Sequence, residues 1–227
     1  MKIEGLERFT EVPPKLYNLR EEEIKRVLQS EKIKKVICFA LGPKGTNIGQ
    51  AVEKWIKRMD ISSKTEIIFC ETPEESVEKG KKVKEEGVLA IFWTCAVYVG
   101  EAELFFTNPD TLPFFFVEKM ELDEMQLATR AELLGEINNG KIPKDWKIAS
   151  HPSPVHLVRK LENPIVFAKS NAHAAVLCQE GKVELCITTE SARKIYKLER
   201  IFGFGSPPMI FFGGITQRGL ELIKKCF

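Results

Sequence analysis

The chain of 227 residues has no Cys-x-x-Cys pair, and its six cysteines, at 38, 70, 95, 178, 186 and 226, stand apart, most of them inside apolar runs. They read as reduced, buried thiols of a cytoplasmic protein rather than as a disulfide or zinc framework. There are only three histidines, His151, His156 and His173, and no carboxylates at ligand spacing around them, so no metal is expected. Long hydrophobic runs are missing too. Leu112 to Val117 is short, and Ile201 to Ile215 is broken by glycine and proline, which leaves no membrane span; no N-terminal stretch is apolar enough for a signal peptide. Charge of one sign is also lacking. The net charge is +2, and the lysines between Lys79 and Lys84 are hemmed by Glu74, Glu75, Glu78, Glu85 and Glu86 along one expected helix. That pattern is a solvated face and excludes a nucleic-acid patch.

What remains is an ordinary core-forming composition, 44% hydrophobic and 29% charged, enough for one large or two small α/β domains. The most informative stretch runs from Lys34 to Gly49. An apolar run ends in Gly42-Pro43-Lys44-Gly45-Thr46 and the chain then turns helical. A strand, turn and helix start of this kind aims free backbone N–H groups and the positive end of a helix at one point, where a carboxylate or phosphate is readily held. The order Lys44-Gly45-Thr46 is not the Gly-Lys-Ser/Thr ending of a Walker loop, and glycines at 42, 45 and 49 do not have the spacing of a dinucleotide fingerprint. ATP-type and nicotinamide binding are therefore not indicated, and no cofactor is expected. By itself the loop is equally compatible with glycines that merely close a βα turn.

Strands are expected at about 35 to 41, 65 to 70 and 88 to 93, with helices at 46 to 58 and 73 to 86 between them. Thr72-Pro73-Glu74-Glu75 is a helix start with a cap, a proline at the first position and glutamate at the third, and Gly87 is expected to end that helix. Asn18 and Glu21 resemble a capping box opening an N-terminal helical arm that presents Ile24, Val27 and Leu28. Alternating strands and helices imply a parallel, doubly wound sheet. From Leu104 to Arg130 the pattern changes, as at a crossover. A second βα series follows, with helices expected at Pro154 to Leu161, Asn171 to Glu180 and Glu190 to Tyr196, before Met209 to Phe212 returns the chain to the first domain. The expected domains are 1–104 plus 200–227, and 105–199, enclosing a ligand cleft.

Three segments in order, Gly42-Pro43-Lys44-Gly45-Thr46, Ser150-His151-Pro152, and Thr188 to Leu198, resemble the catalytic domain of prephenate dehydratases and their relatives. The likeness covers most of residues 34 to 214. Ser150-His151-Pro152-Ser153-Pro154, Glu190, the Ala192-Arg193 pair and Pro208-Met209 look most like the nonaromatising prephenate decarboxylases of bacilysin and anticapsin biosynthesis. This resemblance implies an α/β, two-lobed type II periplasmic-binding-protein-like fold with mixed sheets. It also implies a cofactor-free lyase that decarboxylates prephenate or a close analogue. The dehydratases' Thr-Arg-Phe is replaced by Pro207-Pro208-Met209 and their Glu-Asn-Ser by Cys95-Ala96-Val97, while Trp93 stands where the decarboxylases keep proline. Phenylpyruvate-forming dehydration and noncatalytic binding of a small carboxylate are the alternatives. With the chain ending at Phe227, feedback through an appended regulatory domain is not expected.

A dianion such as prephenate needs donors at two ends of a slot. Gly42, Lys44, Gly45 and Thr46 supply one group of candidates, with Glu71 and Thr72 beside them; Ser150, Ser170 and Asn171 at other helix starts supply a second. Cys95, Arg193 and Met209 complete the expected binding set. His151 and Glu190 are the catalytic candidates, because loss of the ring carboxylate requires a proton donor at a remote carbon. Each has a plain structural reading beside the chemical one. Ser150 to Pro154 could simply cap a helix, Glu190 suits a helix dipole, Cys95 suits a packed strand, Arg193 a solvated helix face, and His156 and His173 structural positions. The expected partner is a small dicarboxylate; nucleic acid and membrane are not expected, and a homodimer stays open.

Overall fold

The computed structural model describes residues 9–42, 44–137 and 140–227, so Pro43 of the glycine loop and the first eight residues of the expected arm lie outside the described residues. The chain runs α1 (Pro14–Tyr17), α2 (Glu21–Gln29), β1 (Lys35–Leu41), α3 (Asn47–Met59), β2 (Thr65–Cys70), α4 (Pro73–Lys82), β3 (Val88–Cys95), α5 (Glu101–Phe106) and β4 (Thr111–Glu121). Then come β5 (Met125–Thr129), β6 (Ile148–Ser150), β7 (Ile165–Phe167), α6 (Asn171–Gln179), β8 (Leu185–Thr189), α7 (Glu190–Ile195) and β9 (Glu199–Gly203). It finishes with β10 (Pro208–Thr216) and α8 (Gln217–Lys224). The first unit extends to Met120 and resumes over Met209–Phe227, while Glu121–Pro208 form the second. The boundaries fall at 120 and 209, later than the 104 and 200 expected. The shift comes from β4, which stays beside β10 in the first sheet and is tied to α3 by the buried Glu118, whose carboxylate accepts from Arg58 at 2.6 Å and meets Lys54 at 3.4 Å.

The first sheet has the order β2-β1-β3-β10-β4, with β1 parallel to β2 and β3, and β10 antiparallel to β3. Successive strand residues point to opposite faces. Phe92 accordingly packs with Val77 of α4, Phe39 and Leu104, while Trp93 meets Trp55 of α3 edge-on at 5.1 Å between ring centroids. Helices on both faces explain why β1 and β3 are apolar almost throughout.

The second sheet, β7-β6-β8-β5-β9, repeats that order: β6 is parallel to β7 and β8, and β5 is antiparallel to β8 and β9. One face is filled by small side chains, with Ala128, Ala149 and Cys186 of the sheet against Ala174, Ala175 and Cys178 of α6. The other carries Leu127, Ile148, Leu185 and Ile187 with Trp146 and Val158. Arg130 fastens this unit by donating to the carbonyl oxygens of Cys178 and, at 2.8 Å, Val183.

Several local expectations change. Asn18 closes α1; Arg20 is the N-cap of α2, with Glu23 accepting from the Arg20 N–H at 2.9 Å. Helix α4 stops at Lys82, and Gly87 (φ +76°) belongs to the turn before β3. Continuing it would have placed Glu85 and Glu86 at the negative helix end. Pro154–Leu161 is a 3-10 helix, since Pro152 pushes His151 toward extended backbone and Pro154 lacks an N–H.

Candidate functional site

In the first unit the expected binding residues gather at one edge of the parallel triplet. Leu41 pairs with Cys70, and Phe39 with Phe92, so the residues after β1, after β2 and at the end of β3 are level. Ligands of open α/β sheets lie at this carboxyl edge, beside the strand where the order reverses. Gly42 is required by close approach: a Cβ there would lie 2.9 Å from Phe69 Cβ. Gly45 is required by its φ of +92°, and its carbonyl accepts from Gln50 Nε2 at 3.0 Å. The Thr46 hydroxyl is spent locally. It donates to Leu41 O at 2.8 Å and accepts from Gly49 N at 3.2 Å, capping α3. Thr72 Oγ1 likewise accepts from Glu75 N at 3.1 Å, and the Glu75 carboxylate takes the Glu71 N–H at 2.6 Å. Lys44 is exposed in this loop.

The segment after β3 holds a group of side chains that sequence reasoning did not single out. The Thr94 hydroxyl donates to Glu101 Oε2, Glu101 Oε1 is buried without a partner among the described residues, and Tyr98 donates to Glu74 at 2.5 Å. Burial, with a smaller push from Glu74, holds the Glu101 carboxyl above its ordinary 4.5 despite the Thr94 hydrogen bond. Burial and then the Glu74 carboxylate raise Tyr98. Burial, reinforced by Glu101, also raises the Cys95 thiol, which is the opposite of what a nucleophile needs. Among these residues the one sequence signal was that Trp93 to Gly100 departs from both enzyme patterns.

The second unit repeats the arrangement. Ser150 pairs with Phe167, and Ala149 with Cys186, so Ser150-His151, Ser170-Asn171 and Thr189-Glu190 follow three adjacent parallel strands at their carboxyl ends. Ser150 ends a strand instead of starting an α-helix; it is fully buried and donates to His151 O at 2.9 Å. His151 Nδ1 accepts from Ser153 N at 3.3 Å, which leaves the ring proton on Nε2. Burial lowers the His151 pKa, so the imidazole is neutral near pH 7. Ser170 caps α6 by accepting from His173 N at 3.0 Å. Asn171 Nδ2 lies 3.8 Å from Met125 Sδ, and its buried Oδ1 has no partner among the described residues.

Glu190 is a partly exposed member of an ion pair with Lys194, 2.8 Å away, and that contact lowers its pKa. Arg193 is neither solvated nor poised for a ligand: Nε donates to Gln126 Oε1 at 2.7 Å and Nη1 to Leu198 O at 2.8 Å. His173 Nδ1 accepts from Lys169 N at 3.1 Å, a structural contact. Met209 is partly buried on β10, in the first unit. Thus each unit groups its own candidates, Gly42 to Thr46 with Glu71, Thr72 and Cys95 in one, Ser150, His151, Ser170, Asn171 and Glu190 in the other. Most hydroxyls among them already serve the backbone. Groups of three or more His, Cys, Asp or Glu able to hold a metal are absent among the described residues. No described helix is long and apolar enough to cross a membrane.

Neither a protein-family model nor a curated protein sequence matches the chain. Solved structures do. R. palustris Rpa4515 with adipate is 12% identical, with a TM-score of 0.57 over 87% of this chain and 82% of that one. The periplasmic VFT2 domain of Bordetella pertussis BvgS is 16% identical, with a TM-score of 0.52 over 86% of both chains. PhnD1 from Prochlorococcus marinus in complex with methylphosphonate is 9% identical, with a TM-score of 0.51 over 85% and 83%. The chain spans 64% of the length of GqqA, described as a novel type of quorum quenching acylase (13% identity, TM-score 0.45, over 81% of this chain). Together with its two mixed sheets, these likenesses assign the chain the two-lobed periplasmic-binding-protein-like α/β fold.

Proposed function

We propose that the chain binds a small carboxylate at the carboxyl edge of its parallel strands and does not turn it over. The observation carrying this reading is that the expected binding segments assemble at that edge in each unit while the expected acid–base groups are unsuited to proton transfer. Glu190 is held ionised by Lys194, and His151 is a neutral imidazole with Nδ1 occupied, a weak donor toward carbon. Similarly folded proteins carrying adipate and methylphosphonate support a small anion as the class of ligand. Six free cysteines favour a reducing compartment, the cytoplasm.

A second reading, which rests on the resemblance of Ser150-His151-Pro152-Ser153-Pro154 to the nonaromatising decarboxylases, is decarboxylation of prephenate without aromatisation. One experiment separates the two. Titration calorimetry with adipate, methylphosphonate and prephenate is run beside proton NMR of prephenate against a protein-free control. Saturable binding with prephenate unchanged is the expected result. A nonaromatic decarboxylated product would replace the binding reading with the lyase, and phenylpyruvate would replace it with a dehydratase. Lys44→Ala, at an exposed cation of the glycine loop, should weaken the bound anion, and unchanged affinity would remove the edge beside Gly42 and Gly45 as the site.

A further inference from the structure

We infer that the second unit has another small-molecule site, on the flank formed by the 3-10 helix Pro154–Leu161 and β7, which takes a single-ring aromatic monocarboxylate. A slot of about 250 Å³ lies there. The local periodicities explain its lining. In a 3-10 helix side chains three apart eclipse, so Val155 and Val158 share one ridge and His156 and Arg159 the next. In a strand residues two apart share a face, which brings Ile165 and Phe167 to the same slot. The result is an apolar trough with a cationic rim.

The occupant follows from what is left unpaired. Among the described residues the exposed Arg159 side chain makes no hydrogen bond or ion pair. The acid near it in sequence, Glu162, is paired with Lys144 at 3.3 Å. A guanidinium beside an apolar wall favours a planar carboxylate, which it can meet with two parallel N–H donors. Phe167 is 65% exposed and offers a ring face with no aromatic neighbour among the described residues, suited to stacking on another ring. Size decides against larger partners. The slot is below the roughly 300–1,000 Å³ of drug-sized sites, and β7, with three residues, offers too few free backbone groups for an added peptide strand. It flanks the edge strand β7 and adjoins the carboxyl edge, since Phe167 is level with Ser150, but its lining shares no residue with the segments assigned above, and it stands independently of that assignment.

The test is amide chemical-shift mapping of the whole chain with benzoate and its neutral isostere benzamide. Benzoate should shift the amides of residues 155–159 and 165–167 and bind more tightly than benzamide. Arg159→Gln, at an exposed and unpaired side chain, should weaken benzoate by about tenfold, the scale of a charge-assisted hydrogen bond, and leave benzamide unchanged. Phe167→Ala should weaken both. Equal binding of the two probes, indifference to Arg159→Gln, or benzoate shifts confined to Gly42–Thr46, Ser150–Ser153 or Ser170–Asn171 would each overturn the inference. The last outcome would assign benzoate to the strand edge and leave the carboxylate-binding reading intact.

Discussion

The first sheet sets Phe92, Trp93, Phe116 and Phe211 in its buried interior, where the face of the second that meets α6 sets Ala128, Ala149 and Cys186 against Ala174, Ala175 and Cys178. The strand order is the same in both, a parallel triplet followed by an antiparallel strand. Strand order is therefore indifferent to the size of what fills the layer, whereas strand length differs with it. Large rings in the first unit accompany a 13-residue α3 and strands of up to 11 residues. Small residues in the second pack α6 against strands as short as three residues, with Arg130 and Arg193 donating to backbone carbonyls at 2.8 Å.

The contrast breaks most visibly at Trp93. It is fully buried and packs on Trp55 at 5.1 Å, so Trp93→Ala removes a ring from a layer that cannot collapse. We expect a loss of about 3–5 kcal/mol in urea unfolding. The opposite substitution sharpens it in the second unit. Ala175→Leu inserts three carbons where α6 meets the sheet, and the expected cost is about 1–3 kcal/mol by overpacking. A Trp93→Ala variant that unfolds like wild type, or an Ala175→Leu variant that gains stability, would mean that the two layers are not filled as described.

Much of this was legible locally. The unit from β1 to α3 announces itself by an apolar run ending at Gly42 and a Thr46 cap, α4 by Thr72-Pro73, and α6 and α7 by Ser170 and Thr189, because caps and turns act within four residues. The edge positions of Thr46, Ser150 and Asn171 follow once those elements are in place. The allegiance of β4 was not legible. Its Phe-rich alternation suits either sheet, and what decides is Glu118 meeting Arg58 sixty positions away. Helix α5 has no side-chain cap at Gly100, and the pairing of Tyr98 with Glu74 or of Arg193 with Gln126 joins residues far apart in sequence. Such contacts leave no periodicity to read, and they settled which candidates were already occupied.

The smallest effect expected distinguishes the two strand edges by their protons. In the first unit burial holds Glu101 above 4.5, so as pH falls from neutral the folded carboxyl takes up a proton before the unfolded chain does. Stability therefore rises through the raised pKa and levels off below about 4.5. In the second unit burial holds His151 below 6.5, so the unfolded chain is protonated first. That contribution is fully present above about 6.5 and is lost as pH falls through the folded value. Mild acid should then strengthen the amide protection of Val88–Cys95 and weaken that of Ile148–Ser150, read by hydrogen exchange corrected for its intrinsic pH dependence. Glu101→Gln should abolish the gain and His151→Gln the loss, which separates these two groups from the surface carboxylates that titrate in both units. Parallel changes in the two segments, unaltered by either variant, would show that the edges share one environment and would leave the buried Glu101 carboxyl and the neutral His151 without their assigned charge states.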